Sequence, residues 1–125
     1  MQDLIARISA SAGIEPGTAE KAVGVILAFL RKEGPKGEID ELFATVPGAA
    51  EAAAAGAESG GLISGLMGMM GGGLMGLAAR LSGLGLSMGQ MQAVGHEVFA
   101  YVKERAGEER IRQVAAAIPG LSQFL

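Results

Sequence analysis

The sequence predicts an all-α fold: a compact multihelical single domain spanning residues 1–125, with two copies of a three-helix unit joined by a buried Gly/Met-rich hydrophobic helix. Three observations predict it. The chain is half apolar yet has only five aromatic residues, Phe29, Phe43, Phe99, Tyr101 and Phe124, and its many alanines favour close helix packing over an aromatic sheet core. A shift of 72 residues lays GIEPGTAEKAVGVILAFLRKEGPKGEIDELFATVPG (13–48) on GLSMGQMQAVGHEVFAYVKERAGEERIRQVAAAIPG (85–120) without a gap. Between these stretches lies GGLISGLMGMMGGGLMGL (60–77), which is uncharged. The repeats run from about 3 to 48 and from about 76 to 120, and the connecting segment from about 59 to 76.

Within the shifted alignment Gly13/Gly85, Gly17/Gly89, Ala28/Ala100, Ile39/Ile111, Ala44/Ala116, Pro47/Pro119 and Gly48/Gly120 are identical. Ile26/Val98, Phe29/Tyr101, Leu30/Val102, Leu42/Val114 and Val46/Ile118 keep apolar bulk. One further residue of shift places LIARIS (4–9) over LAARLS (77–82), so each copy is expected to open with a short helix.

The second helix of each copy has the clearest start. Ser87 and Gln90 have capping-box spacing, and Leu86 and Met91 stand where a hydrophobic staple would. In the first copy Pro16 occupies the first helical position, where its missing N–H costs nothing, and Ile14 takes the staple position. Ala22, Ile26, Phe29 and Leu30, and likewise Val94, Val98, Tyr101 and Val102, recur at helical spacing and predict an inward stripe. Arg31, Lys32, Lys103 and Arg105 fall in the last turns, where cations oppose the helix dipole, and read as solvated helix ends.

KEGPKG (32–37) and the region of Gly107 break the chain before a third helix. Its inward residues are Ile39, Leu42, Phe43 and Val46 in one copy, and Ile111, Val114, Ala115 and Ile118 in the other, spaced i, i+3, i+4, i+7. Pro47 and Pro119 disfavour helical geometry in the residue before them, so both copies should end at VPG and IPG.

The paired GI/GL openings, the Ala-Val to Ala-Phe/Tyr helix and the closing VPG and IPGLSQF give the chain a resemblance to a family of small bacterial helical proteins classed as a domain of unknown function. The resemblance covers nearly the whole chain. It implies the fold and the order of copy, Gly/Leu/Met segment and copy; it implies no activity, cofactor or functional residue.

The stretch from Ser59 to Ala79 has 21 uncharged residues, long enough to cross a bilayer. Eight of them are glycine and two serine, leaving little of the bulk that makes insertion favourable, and cationic flanks are missing. A solvated linker would not carry Leu62, Ile63, Leu66, Met67, Met69, Met70, Leu74 and Met75. As a helix, Gly60, Ser64, Gly68, Gly72 and Gly76 form a row of small residues and Leu62, Leu66, Met70 and Leu74 a bulky one. Eight glycines cost about 8 kcal/mol of helix propensity against alanine, so the segment is expected to be buried, with Gly71-Gly72-Gly73 as the place where it would break. Gly72→Leu would then overpack and cost about 1–3 kcal/mol.

No catalytic, cofactor or metal residues emerge. His96 is the lone histidine; it matches Gly24 in the first copy, lies off the inward stripe, and is expected to be a solvated or boundary residue. Glu97 sits about 100 degrees around the helix from it, which is not an acid/base dyad. Asp40-Glu41 and Glu108-Glu109 read as solvated faces without metal-ligand spacing. GLGLSMG (83–89) departs from a dinucleotide loop and is accounted for by helix capping. Six of the seven methionines lie between Met67 and Met91 and read first as core filler, second as an adaptable apolar groove.

Thirteen acidic against ten basic residues, a net charge of −3, argue against nucleic acid as a partner. The absence of cysteine excludes disulfides and thiolate chemistry. The opening MQDLIARISASAG lacks a basic region before a long apolar run, which predicts a cytoplasmic protein. The function expected is a non-enzymatic helical module that binds a protein partner or itself. The competing expectation is an amphitropic membrane or lipid-binding protein using the Gly/Met-rich helix.

Overall fold

The computed structural model describes residues 2–34, 36–46, 48–59 and 74–117. Among them the chain forms seven α-helices and no strand: α1 (Gln2–Ala12), α2 (Pro16–Glu33), α3 (Lys36–Thr45), α4 (Ala49–Ser59), α5 (Leu74–Gly83), α6 (Met88–Ala106) and α7 (Glu108–Ala117). The all-α, multihelical architecture is the one the sequence predicts.

The local signals produce the boundaries expected of them. Pro16 is the first residue of α2, after an extended Glu15. At α6 both halves of the capping box are made: the Gln90 amide donates to Ser87 Oγ at 3.3 Å, and the Ser87 amide donates to Gln90 Oε1 at 2.9 Å. The staple residues Leu86 and Met91 are buried and Ile14 half-buried. Gly13 and Gly85, 72 residues apart, close the turns after α1 and α5 with φ of 68° and 88°, a left-handed geometry that a Cβ disfavours. At Gly13 the turn is pinned twice: its N–H donates to the Ser9 carbonyl, and the Ser9 hydroxyl donates to the Ile14 carbonyl at 2.6 Å.

The core is one cluster. Ala22, Ile26, Phe29 and Leu30 from α2 and Val94, Val98, Tyr101 and Val102 from α6 are all buried, as are Ile39, Leu42, Val46, Ile111 and Val114. Phe43 and Ala115 pack against the cluster half-buried. Ile118, Pro47 and Pro119 lie outside the described residues.

Two features go beyond the expected stripe pattern. First, α2 is enclosed rather than one-sided: residues 22–27 are buried without a break, and the helix touches α1, α3, α4, α5 and α6. An uncharged run from Ala22 to Leu30 fits a helix covered on every side. Second, residues 49–59, which the repeat pattern leaves unassigned, form α4, and its contact with α2 is the most extensive in the molecule's described part. Ala49 and Ala53 are buried against α2, whose own Ala19 and Ala22 are fully covered. Small side chains on both partners let the two backbones come close, which is how an alanine-rich helix gains packing.

Helices α1 and α5 each pack chiefly on a helix distant in sequence. α1 packs more extensively on α6 than on the adjacent α2, and α5 more on α2 than on the adjacent α6. Arg7 of α1 pairs with Glu97 and Glu104 of α6, each at 3.5 Å, and Arg110 of α7 pairs with Glu41 of α3. The expected connecting helix (about 59–76) is described only at its ends, residue 59 closing α4 and residues 74–76 opening α5; residues 60–73, with the Gly71-Gly73 break and Gly72, lie outside the described residues. Among those described, no helix is long and apolar enough to cross a membrane.

Candidate functional site

The Gly107 turn, where the Gly107 N–H donates to the Lys103 carbonyl at 3.0 Å, brings α7 back beside α6. The two helices enclose a groove of about 380 Å³ lined by His96, Phe99, Ala100 and Lys103 of α6 and by Glu108, Ile111 and Arg112 of α7. The spacing makes this possible. Residues 96, 99, 100 and 103 are i, i+3, i+4 and i+7 on one face of α6, and 108, 111 and 112 are i, i+3 and i+4 on the facing side of α7.

The floor is apolar and the rim is ionic. Phe99 and Ile111 are buried and Ala100 half-buried, so the groove bottoms out on the core itself. On the rim the Arg112 guanidinium lies 3.1 Å from Glu108 Oε1, and the Lys103 ammonium 3.8 Å from the same oxygen. One carboxylate oxygen thus serves two cations, with His96 exposed nearby. The side chains of Lys103, Glu108 and Arg112 are 52%, 55% and 74% exposed, so solvent screens these pairs and each contributes little.

A second groove lies 72 residues earlier, with opposite charges at two of its aligned positions, Lys36 against Glu108 and Asp40 against Arg112. Arg31, Gly34, Lys36, Ile39 and Asp40 line a groove of about 240 Å³ between α2 and α3. Arg31, Lys36, Ile39 and Asp40 stand 72 positions before Lys103, Glu108, Ile111 and Arg112. This earlier groove is smaller, and Ile39 leans into the space a side chain at Gly34 would take: a Cβ there would lie 2.7 Å from Ile39 Cγ1. A third hollow of about 360 Å³ at the Gly107 turn is lined by Ala106, Gly107, Glu108, Glu109, Arg110 and Gln113, and its lining is mainly polar.

His96 is exposed, as expected of a solvated residue, while Gly24, 72 residues earlier, is buried. Glu97 turns away from His96 to pair with Arg7. Glu41 and Glu108 are held by ion pairs, and Asp40 lines the smaller groove. Among the described residues no group of three His, Asp or Glu side chains is placed to hold a metal ion. GLGLSMG is the turn and cap before α6. Of the methionines, Met91 is buried and Met88 is 72% exposed, while residues 67–70 lie outside the described part.

Lys103, which sequence reasoning treats only as a solvated helix end, has a second location, the groove rim. Arg105, read in the same way, stacks over the Tyr101 ring at 3.9 Å. The groove itself is invisible in a linear reading, because it needs α7 folded back on α6. Its one sequence signal is the placement of His96 and Lys103 seven residues apart with Ala100 between them.

Compared with protein-family models, with curated proteins and with solved structures, the chain gives no match.

Proposed function

We propose that the chain is a non-enzymatic, cytoplasmic interaction module that docks a protein partner in the groove between α6 and α7. The observation that carries this reading is the groove's composition: an apolar floor reaching the core, bordered by exposed ionic side chains, as recognition surfaces generally combine an apolar centre with a polar rim. Docking of a different protein is favoured over self-association. Among the described residues Met88 is the one large hydrophobic side chain that is exposed, and stable homodimers are built on broad apolar faces of roughly 1,000 Å² or more per partner. The two grooves related by 72 residues support an origin by duplication of a three-helix unit, with one groove widened for use.

Light scattering on a size-exclusion column, combined with affinity capture from the source cell and mass spectrometry, tests the reading. A monomer near 12.6 kDa is expected. It should retain a defined partner that Ala100→Trp, which fills the groove, releases while helical content stays unchanged. A strict monomer that retains nothing, or a partner indifferent to Ala100→Trp, would overturn it.

A further inference from the structure

We infer that the occupant of the α6/α7 groove is an acidic segment of a partner protein, one that lays a bulky apolar side chain on Phe99, Ala100 and Ile111 and sets a neighbouring carboxylate between Lys103 and Arg112. This rests on the docking role proposed above and adds the partner's chemistry.

The first support is a donor surplus. A lysine offers three donors and an arginine five, and both converge here on the single oxygen Glu108 Oε1. Glu108 already shows the geometry a guest carboxylate would adopt, and most of the cations' donor capacity is left for one. The second support is the sign of the local charge. The chain carries −3 overall, yet this groove holds Lys103 and Arg112 against Glu108 alone, with His96 beside them. A cationic recess on an acidic protein attracts acidic segments and repels basic ones, which sets specificity and association rate. The third support is size: about 380 Å³ accommodates one or two large side chains rather than a whole helix, so a short segment is the fitting guest. The groove between α2 and α3 provides an internal comparison. It too carries two cations, Arg31 and Lys36, and one acid, Asp40, but it holds about 240 Å³ and Ile39 crowds its floor, so an apolar anchor finds less room there.

The probe is a fluorescein-labelled peptide of alternating glutamate and leucine, compared with its lysine-leucine and glutamate-serine counterparts, titrated into the full chain and followed by anisotropy and by amide chemical shifts. Saturable binding of the glutamate-leucine peptide is expected, with shift changes centred on residues 96–103 and 108–112. It should weaken about tenfold or more in Lys103→Glu/Arg112→Glu and decline as salt is raised. The glutamate-serine peptide should bind much more weakly, since it lacks the anchor. Both substituted side chains are more than half exposed, and circular dichroism verifies that the double variant keeps its helices. Tighter binding of the lysine-leucine peptide in the same groove would overturn the acidic partner and leave the docking role standing. Absence of groove shifts with any of the peptides would overturn the acidic segment. It would extend to the docking role only if affinity capture also retained no partner that Ala100→Trp releases. Binding indifferent to the double reversal would overturn the assignment to Lys103 and Arg112.

Discussion

The side chain of Gln90 donates from Nε2 to the carbonyl of Ala12, at 3.3 Å and across 78 residues of sequence. The same side chain accepts from the Ser87 amide through Oε1, so one residue closes the start of α6 and the end of α1 together. Gln90→Ala should therefore cost about 1–2 kcal/mol, the value of a lost cap plus a part-buried hydrogen bond. Gln90→Glu keeps the acceptor for Ser87 but has no donor for Ala12, and should cost less. Urea unfolding midpoints separate the two, and equal losses would show that the Ala12 bond carries the whole effect.

Gly34 and Gly37 lie three residues apart and should respond in opposite ways to alanine. A Cβ on Gly34 would stand 2.6 Å from the Leu30 carbonyl oxygen and 2.7–2.8 Å from the buried Ile39 side chain, whereas φ of −80° there is open to any residue. Overpacking of this kind costs about 1–3 kcal/mol, so Gly34→Ala should lower the melting temperature. Gly37 is exposed with nothing within 4 Å, and Gly37→Ala should be neutral or stabilise by up to about 1 kcal/mol.

At Gly13 and Gly85 the obstacle is backbone conformation rather than space. Neither has an atom within 4 Å of a new Cβ, but both hold positive φ. Alanine at either should cost about 1–2 kcal/mol. Thermal unfolding of the two single variants should give similar shifts, and a negligible shift would mean that the turn readily adopts another shape.

Leu42 is fully buried, while Arg7 reaches its two glutamates from a side chain 42% exposed. Leu42→Ala should cost about 2–5 kcal/mol through lost burial and a cavity. Arg7→Ala should change stability by less than about 1 kcal/mol, with the difference shrinking in high salt. Chemical denaturation at low and high ionic strength checks both.

Much of this fold is written locally. Ser87 and Gln90, Pro16, Gly13 and Gly85 act within a few residues of themselves, so the boundaries they set are readable in sequence. The stripes headed by Ala22 and Val94 are readable for the same reason, since helical periodicity reports one face. Enclosure of α2 is not, because it depends on which helices cover Val23, Val25 and Leu27. Helix α4 was hidden by composition: AAEAAAAGAES has too few large residues for an apolar stripe, and its value lies in how close Ala49 and Ala53 let it come to α2. The groove was the least legible part. Its walls are adjacent in sequence, but its floor and rim exist only after the reversal at Gly107 sets Ile111 and Arg112 opposite Phe99 and Lys103.

The crossing of α1 onto α6 also bears on the order of events during synthesis. Leu4 and Ile8 are synthesised well before the helix they lean on, which begins at Met88. At roughly 5–20 residues per second that is a wait of about 4–16 seconds, far longer than the microseconds in which a helix forms and melts. An eleven-residue helix is marginal alone, and during those seconds α2 is the native partner on which α1 can pack. The apolar face of α1 is thus fully covered only once α6 has been made.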